Sequence, residues 1–327
     1  VHKNILSLYG MGGLVVEENN KRIIAAVLAV FFLLGVFPSI FNFLSEKKNQ
    51  PYLQVRLLQD DGKVKILPLE EYLIGVVAAE MPAEFEVEAL KAQCVAARTY
   101  VLKRIEQNKK HNMAFDVDIT EKTQAWNSNQ QMLKKWGILN YYKYRRKIAR
   151  AVEATKGEFL TYNGQIIDAV YFSSCGRKDT ERASDVWSGN VEYLTNVPSN
   201  EVLPLRFVRN QTFDAPTFYK LLGFKQSPTQ FDANSIVLID RTKAGRVKSL
   251  RVLNKVFNAT DFRAKLQLPS TDFEWNIDAQ KIEFITYGKG HAVGMSQYGA
   301  NDMAKAGHDY TKILQHFYPG TEIKILN

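Results

Sequence analysis

The longest unbroken apolar run lies near the start of the chain, in "KRIIAAVLAVFFLLGVFPSIFNFLSEKK". Residues 23–44 carry no charged side chain, and a run of that length crosses the hydrocarbon core of a bilayer as a helix. No small-residue cleavage site follows it, so it reads as an uncleaved transmembrane anchor rather than a signal peptide. Lys3, Lys21 and Arg22 precede the run and Lys47 and Lys48 follow it. That slight positive-inside bias makes residues 1–22 a short cytoplasmic tail and 45–52 a linker. The expected location is the cell membrane, single-pass, with residues 53–327 forming an extracytoplasmic domain.

Beyond the linker the apolar pattern changes period several times. "YLQVRLL" and "KVKILPL" read as strands around the turn "QDDGK". Leu69, Tyr72, Leu73, Val76, Val77 and Glu80 then fall on one face of a helix at steps of three and four. Pro82 disfavours helical geometry at Met81, which sets the helix end near Glu80. "EVEALKAQCVAARTYVLKRIEQNKK" predicts a second helix with Val87, Leu90, Cys94, Val101 and Ile105 along its apolar stripe. A third amphipathic helix ends near "IARAVEATKG", at Gly157. "EFLTYNGQIIDAVYFSS" predicts a hairpin turning at Asn163-Gly164, and "SIVLIDRTKAGRVKSLRVLN" a second one. "KIEFITYGKGHAVGMSQYGANDMAKAG" reads as strand, glycine-rich loop, helix. With no repeats and no regular βαβ alternation, the expected fold is α+β, with a mixed, mostly antiparallel sheet and several helices after one N-terminal transmembrane helix.

Charge and cysteine content narrow the function classes. The 43 basic and 34 acidic residues give a formal net charge of +9, and 40 against 32 of them leave +8 on residues 45–327. This balance suits a polyanion such as an anionic envelope polymer. Nucleic acid is disfavoured, because no basic stripe interleaved with aromatics and no zinc-finger, helix-turn-helix or phosphate-loop spacing is present. Two cysteines, Cys94 and Cys175, frame one disulfide at most, and the five histidines include no HExxH. No metal and no cofactor are expected.

Glu80 is the residue that the pattern leaves unexplained. It shares a face with Leu73, Val76 and Val77 and lies at the negative end of its helix. Desolvation and the helix dipole would both disfavour the carboxylate. A carboxyl group that keeps its proton near neutral pH can donate it to a leaving oxygen. A C-capping or surface glutamate fits the same letters, and spacing alone leaves both readings open. A glycosidase normally needs a second carboxylate, and Asp168, Asp179 and Asp185 are available. Intramolecular attack by the sugar's own 6-hydroxyl would remove that need and yield a 1,6-anhydro sugar.

The segments "EEYLIGVVAAEMPAEFEVEALKAQCVAARTYVLKR", "YFSSCGRKDT", "DVWSGNVEYLTNV" and "GKGHAVGMSQYGANDMAKAG" together resemble the stage II sporulation protein D family, in the family's order from Glu70 to Gly307. That family comprises membrane-anchored lytic transglycosylases of endospore-forming bacteria, related to the amidase-enhancer proteins. The resemblance implies cleavage of peptide-stripped peptidoglycan glycan strands to give 1,6-anhydro-N-acetylmuramic ends. It implies a role in septum thinning and forespore engulfment at the forespore septum, with stage II sporulation proteins P and M as partners. Glu80 matches the catalytic glutamate. Arg177 and Ser188 stand where the family commonly has glycine, and the extra cysteines that hold zinc in some relatives are absent here.

The resemblance also assigns His291, Gln297 and Tyr298 to the substrate site, in a loop with four glycines in twelve residues whose plainer reading is a strand-to-helix turn with Ser296 as N-cap. Tyr171, Ser173, Ser174 and Cys175 are expected to shape the cleft. Cys94 reads as a buried hydrophobe. Cys175 beside Arg177 offers a rival chemistry, a thiol nucleophile paired with His291 in an amidase. A peptide-stripped strand carries a lactyl carboxylate on each muramic acid, which calls for a cation and best a guanidinium fork. Arg98 and Arg177 are the expected clamps, with ordinary structural salt bridges as the competing reading. A non-catalytic wall-binding scaffold that recruits or stimulates an amidase is the alternative to an enzyme.

Overall fold

The computed structural model describes residues 53–120, 123–187, 189–226 and 228–326. The expected tail, transmembrane anchor and linker (1–22, 23–44 and 45–52) lie outside the described residues. Among the described residues no helix is long and apolar enough to cross a membrane.

β1 (Gln54–Leu58) and β2 (Val64–Pro68) form the expected antiparallel hairpin, and β3 (Val117–Asp118) joins β1 in parallel. Helix α1 (Leu69–Glu80) follows and buries Leu69, Tyr72, Leu73, Val76 and Val77. It stops where Pro82 demands, with Met81 extended at φ −122°, ψ 141°. α2 (Val87–Lys110) is less one-sided than its apolar stripe predicts. Val87 is exposed, whereas residues 92–102 are buried without a break. The reason is its place at the centre of the molecule. α2 packs against α1, α3 (Asn129–Ala154), α7 (Gln297–Lys305), α8 (Tyr310–Phe317) and β4 (Glu158–Tyr162), and Ala92, Ala96 and Ala97 let these neighbours approach from several sides. α3 starts at a Ser128/Gln131 capping box and is broken at Gly137 (φ 71°, ψ 165°) into two helical segments.

β4 turns through Asn163 (φ 49°) and Gly164 (φ 75°) into β5 (Gln165–Ile166), while β14 (Glu322–Ile325) closes the other edge of β4 antiparallel. Residues 208–287 build a lobe with its own core. β7 (Val208–Asp214), β12 (Lys281–Tyr287) and β11 (Phe273–Ile277) form one antiparallel sheet. β8 (Ile236–Arg241), β9 (Val247–Val252) and β10 (Lys255–Asn258) form another. Ile282, Phe284 and Thr286 alternate inward along β12. Phe284 meets Phe218 of α5 (Ala215–Leu221), Phe262 of α6 (Ala259–Leu266) and Phe273 with ring centroids 5.7–6.1 Å apart.

Two short strands organise the candidate site. β6 (Tyr171–Phe172) pairs in parallel with β13 (Met295–Ser296), which lays the "YFSSCG" loop beside the glycine-rich loop. Isolated bridges Ser174–Lys289 and Glu181–Val293 extend the contact. Gly294 makes it possible. Its φ is +77°, and a Cβ there would lie 2.1 Å from the Val170 carbonyl oxygen.

Candidate active site

Glu80 opens onto a cavity of about 710 Å³, whose other walls include Tyr171, Ser173, His291, Gln297, Asp168 and Trp187. Its position follows from a glycine one turn and more earlier. Any Cβ at Gly75 would lie 2.1 Å from Trp126 Nε1, so only glycine lets this indole pack flat on α1. The Asn127 N–H donates to the Gly75 carbonyl (3.1 Å), fixing residues 124–127 alongside the helix. The Ala125 N–H then donates to Glu80 Oε1 at 2.8 Å and orients the carboxyl group. The helix end is not left bare. Lys135 Nζ donates to the Ala78 carbonyl at 2.9 Å, and Asn127 Nδ2 also reaches it at 3.4 Å. The half-buried carboxyl group thus faces a backbone donor and a nearby cation as well as the apolar packing and helix dipole expected from sequence.

Gln124 places the next group. It accepts from the Tyr72 hydroxyl (2.9 Å) and donates through Nε2 to the Tyr171 hydroxyl (3.0 Å). Burial, with the charge of Glu80 nearby, holds the Tyr171 phenol well above its ordinary pKa. Tyr171 therefore stays a neutral donor on the cavity wall. His291 receives the Val293 N–H at Nδ1 (3.1 Å), which leaves its proton on Nε2. Burial, reinforced by the Arg263 charge, lowers its pKa to about 4. It is a neutral hydrogen-bonding imidazole at physiological pH and a poor base. The Trp187 ring lies 5.0 Å from it. Trp187 keeps 41 % of its surface exposed, an aromatic face of the kind on which a pyranose ring can rest. Arg104, Arg263 and Lys289 bring positive charge to the same walls.

The structure thus gathers Glu80, Tyr171, Ser173, His291 and Gln297 of the expected residues, and places the others elsewhere. Arg98 is fully buried and forms a two-pronged pair with Glu70 (Nε–Oε1 3.0 Å, Nη2–Oε2 2.5 Å), and it also donates to the Glu158 carbonyl. No ligand carboxylate can reach it, so the clamp reading is replaced by the structural one. Arg177 is likewise engaged, with Asp272 at 3.1 Å and Glu274 at 3.0 Å, and its guanidinium stacks 3.3 Å from the Tyr287 ring centre. Ser174 is buried and donates to Glu201, a carboxylate that also receives Ser199, Ser296 and the Gly176 N–H. This hub ties the serine loop to the N-cap of α7 rather than lining the cavity. Cys175 is 1 % exposed, beside Phe172 and Ala292, and burial pushes its thiol up to about 12. A thiol so held is no nucleophile at neutral pH. Tyr298 turns to Phe85 and Phe207, with ring centroids at 4.8 and 5.1 Å, and does not line the cavity.

Sequence reasoning missed Gln124, Ala125, Trp187 and the cations Arg104, Arg263 and Lys289. Trp187 had a signal, its place in "DVWSG"; Ala125 acts through its backbone and had none. Among the described residues no set of histidine, cysteine and carboxylate side chains is grouped to hold a metal ion.

With fold and site in view, comparison with known proteins defines the class. A family model described as Stage II sporulation protein (SpoIID) matches residues 59–162, the stretch that contains Glu80 and its supports. The chain is 40 % identical over 264 residues to Stage II sporulation protein D of Bacillus amyloliquefaciens, covering 80 % of this chain and 75 % of that protein. To the Bacillus subtilis (strain 168) protein of the same name it is 40 % identical over 266 residues, with the same coverages. It is also 30 % identical over 303 residues to the Amidase enhancer of Bacillus subtilis (strain 168), covering 77 % of this chain and 40 % of that protein. The chain belongs to the stage II sporulation protein D family.

Proposed function

We propose that this protein is a lytic transglycosylase that cleaves peptide-stripped peptidoglycan strands, with Glu80 as its single acid and base. One observation carries the reading. Glu80 is held by the Ala125 N–H on the wall of a cavity of about 710 Å³, in the size range that takes a small ligand, among neutral donors and aromatic faces.

The Glu80 carboxylic acid protonates the glycosidic oxygen as the bond from C1 of N-acetylmuramic acid to O4 of N-acetylglucosamine breaks. The resulting carboxylate takes the proton of the muramic 6-hydroxyl while O6 bonds to C1. No water is consumed, and the acid is regenerated. Tyr171, neutral His291 and Gln297 orient hydroxyl and N-acetyl groups, and Trp187 supports a ring face. Arg104, Arg263 and Lys289 supply the positive field for lactyl carboxylates that Arg98 and Arg177 do not.

Asp168 lines the same cavity and offers a second carboxylate for ordinary hydrolysis. The variants E80Q and D168N separate the two chemistries. Transglycosylation by Glu80 alone predicts that E80Q loses on the order of 10²–10⁴ in turnover of peptide-free glycan, whereas D168N retains most of it. Comparable losses in both variants would replace this mechanism with a two-carboxylate one. A binding-only role in stimulating an amidase is the second reading, favoured by the likeness to the Amidase enhancer; it predicts full function in E80Q. Membrane anchoring through residues 23–44, action during septum thinning and engulfment, and assembly with stage II sporulation proteins P and M complete the proposal.

A further inference from the structure

A second cavity of about 350 Å³ adjoins the first through Lys289, which lines both. Its walls include Arg206, Arg209, Phe207, Gln267 and Pro269 and contain no acidic residue. Among the described residues none of the three cations forms a salt bridge. All three are exposed to solvent, and no carboxylate among the described residues competes for them, unlike Arg177, which Asp272 and Glu274 occupy. Arg206 is braced over the Phe207 and Tyr298 rings, 5.1 and 5.3 Å from their centres, which pre-positions its guanidinium. Gln267 ends α6 in the left-handed region, at φ 55°. Glycine or asparagine would occupy that position at lower cost, and Gln267 there lines the cavity.

Three cations and no carboxylate around one concavity give it a positive potential that favours an anionic group. A peptide-stripped glycan supplies one lactyl carboxylate on every muramic acid. A strand longer than one repeat therefore carries a second carboxylate away from the bond being cleaved. We propose that the cavity formed by Lys289, Arg206 and Arg209 is an anionic-sugar subsite, which receives the lactyl carboxylate of a muramic acid further along a strand bound at Glu80. Phe207 and Pro269 offer apolar surface to the ring, and the Gln267 amide pairs with a hydroxyl or N-acetyl group. This inference rests on the glycan reading of the neighbouring cavity, but not on its chemistry.

Binding tests it in the full-length E80Q protein in detergent, which separates affinity from cleavage. The probes are peptide-free glycan oligomers of several repeats and the same oligomers with their lactyl carboxylates converted to methylamides. The carboxylate form should bind on the order of tenfold more tightly. Adding R206Q and R209Q should cut that preference by about threefold or more, leaving the part that Lys289 and the first cavity's cations supply, without changing affinity for the amidated form or the melting temperature, while R206K with R209K should retain most of it. Equal affinity of the E80Q protein for the two probes would overturn the proposal before any subsite variant is made. So would a preference untouched by R206Q/R209Q, or a loss equal on both probes. If E80Q bound the probes as predicted while the Glu80 protein released no anhydro ends, the subsite would stand and the catalytic reading would fall.

Discussion

At the residue scale, the site depends on groups held in one protonation state by their surroundings. His291 is the clearest case. Its folded pKa of about 4 lies below the ordinary value of 6.5. Between those values the unfolded chain binds a proton that the folded protein refuses. The stability contributed by neutral His291 is present above pH 6.5 and is lost as pH falls toward 4, by about 3 kcal/mol at most. Urea midpoints measured from pH 7 to pH 4.5 should fall less steeply for H291Q than for the unaltered protein. Parallel curves would mean that His291 titrates normally in the folded state. Much of this residue-level picture was legible in the sequence, because Glu80, Tyr171, Ser173, His291 and Gln297 share one cavity. The arginines were not. Arg98 follows Cys94 by four residues and precedes Val101 by three, so it lies on the buried stripe of α2. Its partner Glu70 belongs to a different helix, and no periodicity names a partner across elements. Arg177 fails for the same reason, since Asp272 and Glu274 stand nearly a hundred residues away.

At the element scale, short contacts rather than long helices place the chemistry. The packing of Trp126 on Gly75 sets the 124–127 segment against α1 and so delivers the Ala125 N–H to Glu80. G75A gains helix propensity but forces a methyl group into the indole. The expected result is a loss of about 1–3 kcal/mol and a larger fractional loss of cleavage, because Ala125 is displaced. Thermal melts and turnover on the same preparation check this, and an unchanged melting temperature would show that the indole does not depend on glycine here. The elements were legible where a pattern or a proline marked them. The end of α1, the Asn163-Gly164 hairpin and the Ser296 N-cap are as read. Two-residue strands such as β6 and β13 leave no periodic trace, and their pairing is what builds the cleft. The break of α3 at Gly137 was equally silent, since a glycine inside a helical pattern is often tolerated.

At the scale of the whole molecule, two buried arginines join what the sequence keeps apart. Arg246 pairs with Glu181 at 3.1 Å and donates to the Cys175 and Asp179 carbonyls, which ties the aromatic lobe to the loops of the site. Arg98 binds α1, through Glu70, to the start of β4. R98M takes the partner from the partly buried Glu70 carboxylate and from the Glu158 carbonyl, so it should lose about 2–3 kcal/mol of stability. Were Arg98 a substrate clamp, R98M would melt like the unaltered protein and lose only its preference for stripped glycan. The lobe of residues 208–287 was legible only as hairpins, because its phenylalanine core is assembled from α5, β10, α6, β11 and β12, whose packing together no local pattern announces.

The central claim is that Glu80 alone cleaves glycan without water, and the mass of the product tests it most directly. Peptide-free glycan incubated with the protein, beside E80A, should yield 1,6-anhydro-N-acetylmuramic ends that are absent with E80A. Reducing ends in their place, or anhydro ends that persist in E80A, would contradict the account.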